Sequence, residues 1–214
     1  MIEKQEDVFF YITLMNENYS HPGLKAGQEE GILKGLYLLQ PGEKKGKLRV
    51  QLMGSGTILR EVIAAADLLK SDWGVDADIW SAPSFTLLAR DGQDAERWNM
   101  LNPTAKEARV PHITQCLQDT AGPVVVSTDY MRTFAEQVRA FIPKGRTYKV
   151  LGTDGFGRSD NREHLRRHFE VNAESIVGAA LSRLAREGKI KPKKAQAALA
   201  ELGLDVEARD PARA

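Results

Sequence analysis

The feature that most constrains this chain is an alternation through its middle. Short β-branched apolar runs take turns with stretches whose apolar residues recur every three or four positions. Residues 48–53 (LRVQLM) read as a strand ending in Gly54-Ser55-Gly56. The helix after it carries Ile58, Leu59, Val62, Ile63, Ala66 and Leu69 on one stripe and stops at Gly74. Residues 77–81 (ADIWS) and 123–127 (PVVVS) give two more strands, the second introduced by Gly122-Pro123. The next helix places Met131, Phe134, Ala135, Val138, Phe141 and Ile142 on one face and ends at Pro143. Residues 147–151 (TYKVL) form a fourth strand, which enters the glycine-rich stretch 152–157 (GTDGFG). Strand–helix–strand repetition of this kind predicts parallel pairing with right-handed crossovers. The expected fold is an α/β class, three-layer α/β/α sandwich around a mostly parallel sheet.

The flanks are less regular. Asp160 and Glu163 have the spacing of a capping box for a helix over 161–168. Asn172 is the expected N-cap of a helix striped by Ile176, Val177, Ala180, Leu181 and Leu184 and ended by Gly188. Pro192 opens a short helix lined by Ala195, Ala198, Leu199 and Leu202 and stopped by Gly203, and the polar residues 206–214 are expected to fray. Residues 83–122 hold Trp98 and a short helix begun by Pro111 but no assignable strand. At the other end, Val8-Phe9-Phe10-Tyr11-Ile12-Thr13-Leu14 reads as a buried strand with no strand before it and a long gap after it. A buried parallel strand needs neighbours on both sides. The chain is therefore expected to be cut from a larger protein, and in isolation to self-associate through its first 40 residues or order them unusually.

Composition excludes several classes. A chain of 214 residues with 42% hydrophobic and 28% charged content is an ordinary globular sequence, and its net charge of +1 gives no reason to expect nucleic acid or an anionic membrane as partner. No stretch is long and apolar enough to span a membrane, and no secretory signal is visible, so a cytoplasmic location is expected. Cys116 is the single cysteine, which excludes an intrachain disulfide and a cysteine-built metal site.

Candidate chemistry is thin. Gly54-Ser55-Gly56 sits between strand and helix, as a phosphate-binding turn would, but Leu59 replaces the third glycine and Ser81-Ala82-Pro83 offers no acidic residue after the second strand. It reads as a tight turn. The loop 152–160 (GTDGFGRSD), with Asp154, Gly155, Phe156, Gly157 and Arg158 at its centre, has two readings. One is a functional loop at a strand's carboxyl end, facing an active-site mouth or another domain; the other is a glycine-permitted reversal that caps a helix. His164 and His168 share a helix face, but Leu165 stands where a zinc protease needs Glu, and Arg166 and Arg167 repel a cation. Arg183, Arg186, Lys189, Lys191, Lys193 and Lys194 form a basic run with no aromatic residue after Phe169, which reads as a solvated face. No G-x-S-x-G elbow organises Ser, His and Asp.

Several stretches together resemble a known family. They are VFFYITLMNENY (8–19), EEGILKGLYLL (29–39), LMGSGTILREV (52–62), ARDGQDAERWNML (89–101), VVVSTDYMRTFAEQVRAFIP (124–143) and VLGTDGFGRSDNREHLRRHFEV (150–171). From about Asp7 to about Leu204 the chain resembles the C-terminal part of the homodimeric, thiamine-diphosphate-dependent decarboxylating component of bacterial pyruvate dehydrogenase complexes. The resemblance implies a transketolase-C-like domain of Rossmann-like topology over 27–204, a remnant of the middle, pyrimidine-binding domain over 1–26, and a tail over 205–214. It also implies an antiparallel edge strand at Leu36-Tyr37-Leu38-Leu39. The parent enzyme would decarboxylate pyruvate on thiamine diphosphate and Mg²⁺ and reductively acetylate the lipoyl group of its acyltransferase partner. In that family the coenzyme lies between the first and middle domains across the homodimer interface, so the resemblance places no catalytic, cofactor-binding or metal residue on this chain. The segment alone is then expected to be inactive and to bind no coenzyme. The implied role is support of the dimer and of the active-site architecture; the alternative is a stand-alone interaction or ligand-binding regulatory domain.

Overall fold

The computed structural model describes residues 2–9, 12, 17–20, 22–43 and 48–213. A short helix, α1 (Glu29–Lys34), leads into β1 (Tyr37–Gln40) and then β2 (Arg49–Gly54). A 3₁₀ turn at Gly56–Ile58 runs into α2 (Leu59–Trp73), followed by β3 (Asp76–Ser81), α3 (Phe85–Leu101), α4 (His112–Leu117) and β4 (Val124–Ser127). Then come α5 (Arg132–Glu136), a 3₁₀ turn at Arg139–Phe141, β5 (Tyr148–Leu151), α6 (Arg162–His168), α7 (Ala173–Arg186) and α8 (Pro192–Glu201). A last 3₁₀ turn spans Pro211–Arg213.

The five strands make one sheet in the order β1-β3-β2-β4-β5. β2, β3, β4 and β5 are parallel, and β1 joins β3 antiparallel at the edge, as the resemblance implied. β4 lies inside the sheet, between β2 and β5. The period-two alternation of a strand then divides its residues between two cores. Val125, Leu52 and Ile79 face α2 and α7, while Val124, Val126, Met53 and Trp80 face α3, α4 and the α5 region. Burying each such side chain stabilises the fold by roughly 1.5–3 kcal/mol. The continuous apolar run of β4, covered on both faces, is the pattern of a central parallel strand.

Local chemistry explains most boundaries. Gly74 ends α2 in the left-handed region (φ +63°), where a side chain would be strained. The side chain of Asn172 accepts from the Ser175 backbone N–H at 3.3 Å and caps α7, and Pro192 opens α8. All five expected stripe residues of α7 are buried.

Three expectations are corrected, at the cap of α6, in the helix after β4 and in the tail. The helix start before α6 is capped by Asn161, which accepts from the His164 N–H at 2.9 Å, while Asp160 instead accepts from the Asn161 N–H at 2.7 Å. The helix expected to carry Met131 through Ile142 on one face breaks into α5 and a 3₁₀ turn. Ala135, Val138 and Phe141 are buried, but Met131 and Phe134 are exposed. Residues 83–122 hold α3, a helix of 17 residues that the sequence pattern did not reveal. The tail also contains an ordered turn, at Pro211–Arg213. For the expected strand at 8–14, Val8, Phe9 and Ile12 are exposed and belong to no strand, and the other four positions lie outside the described residues.

Candidate functional site

In an open α/β sheet, a crevice forms outside the carboxyl ends of two strands whose outgoing connections leave on opposite faces. Here those strands are β2 and β4: α2 leaves β2 onto one face, and α5 leaves β4 onto the other. Ser55, just past β2, and Thr128, just past β4, close that crevice with a hydroxyl–hydroxyl hydrogen bond of 2.7 Å. Thr128 Oγ1 also accepts from the Tyr130 N–H at 3.2 Å. Gly54 has no room for a side chain, since a Cβ there would stand 2.7 Å from Leu59 Cα. Gly54 thus serves the close packing of α2 on the end of β2.

The opening lies beside this bridge. A cavity of about 320 Å³ is lined by Thr57, Asp129 and Thr153 on the strand side and by Arg158, Arg162 and Arg166 across it. The loop after β5 is stitched to the loop after β4. Thr153 donates its hydroxyl to Asp129 O at 2.6 Å and its N–H to Tyr130 O at 3.0 Å, and the Asp154 carboxylate takes hydrogen bonds from the backbone N–H and the guanidinium of Arg132. Arg166 is fixed from behind by Glu61 at 2.8 Å, and Glu61 also accepts the Ala173 N–H at 3.1 Å, tying α2, α6 and the start of α7 together.

The five loop residues singled out by sequence therefore separate. Gly155, Gly157 and Arg158 line the cavity. Asp154 turns away to Arg132, and Phe156 projects into solvent with 86% of its surface exposed. Outside that loop, sequence reasoning missed Asp129, Arg132, Arg162 and Arg166. The only local hint was the arginine content of the stretch after the glycine loop.

Of the three guanidiniums lining the cavity, Arg166 is paired with Glu61 and Arg162 with Glu17. Among the described residues no three His, Cys, Asp or Glu side chains gather as a metal set. His164 lies 3.1 Å from Asp160, whose carboxyl is held below its ordinary range first by the Asn161 N–H and then by His164. The His168 ring packs edge-on against Phe169, with centroids 4.9 Å apart. Burial pushes the Cys116 thiol up to about 11, and its Sγ lies 3.5 Å from His112 Nε2. The basic residues Arg186, Lys189, Lys191, Lys193 and Lys194 are exposed to solvent. No helix is long and apolar enough to cross a membrane among the described residues.

Comparison with known proteins adds the following. Residues 35–172 match the model of the transketolase-like TK C-terminal domain. The pyruvate dehydrogenase E1 component of Pseudomonas aeruginosa is 54% identical over 211 residues, covering 99% of this chain and 24% of that protein. That of Cupriavidus necator is 55% identical over 206 residues, covering 96% of this chain and 23% of its own. That of Escherichia coli K12 is 55% identical over 210 residues, covering 98% and 23%. The chain spans about a quarter of the length of the curated relatives it matches.

Proposed function

This chain belongs to the transketolase-like C-terminal domain family, and from that premise we propose that it is the third domain of a pyruvate dehydrogenase (acetyl-transferring) decarboxylating component. The observation that carries the proposal is identity of 54% sustained over 99% of the chain, against a relative about four times as long. The whole enzyme would decarboxylate pyruvate on thiamine diphosphate with Mg²⁺ and pass the acetyl group to a lipoyl group on an acyltransferase partner. It would do so as a homodimer in the bacterial cytoplasm. Residues 1–26 would close the preceding domain, and 27–204 would form the domain described above.

Magnesium on a diphosphate needs several oxygen ligands held together. The cavity offers one carboxylate, Asp129, among arginines, so the residues present do not fit that role and no step of the coenzyme's chemistry runs through them. What the chain contributes is shape. The linked loops after β2, β4 and β5 present Phe156 and Arg158 on a rigid platform, and an exposed aromatic on a stiff loop suits burial by a neighbouring domain.

An antibody against this chain tests the reading in cells that make the protein. It should recover a polypeptide about four times the length of this chain, eluting as a dimer and releasing CO₂ from pyruvate when thiamine diphosphate is supplied. Recovery of only a 23.7 kDa polypeptide without that activity would overturn the proposal.

A further inference from the structure

The outer side of β5 has no strand beside it, because β5 ends the sheet. The segment 210–213 lies at the carboxyl end of β5: Asp210, Pro211 and Ala212 share with Leu151, Gly152, Asp154 and Arg132 a space of about 20 Å³, room for about one water. One contact ties the segment to α5 and another shapes its own turn. Asp210 approaches Arg132 to 3.8 Å, and Arg132 in turn holds Asp154. Asp210 also shapes its own turn, accepting the Ala212 N–H on its side chain at 3.0 Å and the Arg213 N–H on its carbonyl at 2.8 Å.

The third contact explains a glycine. Gly155 adopts φ +95°, and a Cβ built on it would stand 2.9 Å from both Ala212 Cα and Pro211 O. A side chain is thus refused twice, by the backbone angle and by the segment lying on it. The other glycine of the turn, Gly157, has open space around it.

We infer that residues 210–213 form a strap that covers the carboxyl end of β5 and fixes the glycine loop. Gly155 is present to admit that strap. The loop's shape, and with it the cavity wall made by Gly155 and Gly157, then depends on a segment more than fifty residues further along the chain. The inference stands apart from the enzyme assignment, since it uses only contacts within the chain.

Hydrogen exchange followed by mass spectrometry tests it on the 214-residue protein. Removing residues 210–214 should speed amide exchange in 148–158 by at least about tenfold while β2 keeps its protection. Asp210→Ala, which removes the turn's own cap and the Arg132 contact, should give a smaller acceleration in the same peptides. If the truncated chain does not fold, the Asp210→Ala result decides. Unchanged exchange over 148–158 in the folded truncated chain, or in Asp210→Ala when that variant decides, would overturn the strap. So would acceleration spread evenly over the sheet.

Discussion

The two ends of the sheet are finished differently. At the amino end, Gln51 and Asp78 are buried polar residues with their hydrogen bonds made inside the chain. Gln51 donates to Asp78 at 2.6 Å and to Ala121 O at 3.0 Å, and accepts from the Trp80 indole at 2.8 Å. Asp78 accepts further from Arg49 at 2.7 Å and from the Gly42 N–H at 2.8 Å. At the carboxyl end the loops are also linked, but they leave a cavity, an exposed phenylalanine and glycines with open space around them. A closed network specifies a fold; an open, stiffened rim is where a second surface can be met.

That contrast can be broken most severely at Asp78. Replacing it with Ala leaves the Gly42 N–H and a Gln51 amide hydrogen without partners and the Arg49 guanidinium without a counter-charge, in a largely buried place, and should cost about 3–5 kcal/mol in urea denaturation. A loss below about 1 kcal/mol would mean that water replaces the carboxylate there and that the amino end is not closed.

Two glycines sharpen the contrast. Gly122, at the amino end, has φ +86°, and a Cβ on it would fall 1.8 Å from Arg49 O, a backbone atom. Gly122→Ala should cost about 2–3 kcal/mol, because both the backbone angle and the neighbouring strand must yield. Gly157, at the carboxyl end, has no left-handed φ and nothing within reach of an added Cβ. Gly157→Ala should move stability by less than about 0.5 kcal/mol. Equal losses at the two positions, by the same urea titration, would erase the distinction between the ends.

The sheet was largely legible in the sequence, because strands such as Val124-Val125-Val126 and helices such as α7 announce themselves by period. The helix α3 did not. Its buried face is Phe85, Leu88, Ala89, Gly92 and Ala95, and small residues there make a weak stripe. They are small for a reason the sequence hides: a Cβ on Gly92 would lie 2.3 Å from the Phe141 ring. The same logic misled the reading of α5, where Met131 and Phe134 continue an apolar period but lie on the outside. For the candidate site, the glycine loop was visible as a motif. Its partners were not, because Arg132 and Asp129 stand over twenty positions away and only folding brings them to Asp154 and Thr153.

On the function proposed above, the carboxyl end is a structural rim and not a coenzyme site. Titration calorimetry of the chain with thiamine diphosphate and Mg²⁺ tests it most directly. No heat of binding should appear up to millimolar coenzyme, and pyruvate should yield no CO₂. Binding at micromolar coenzyme, equivalent to about −8 kcal/mol, would contradict it.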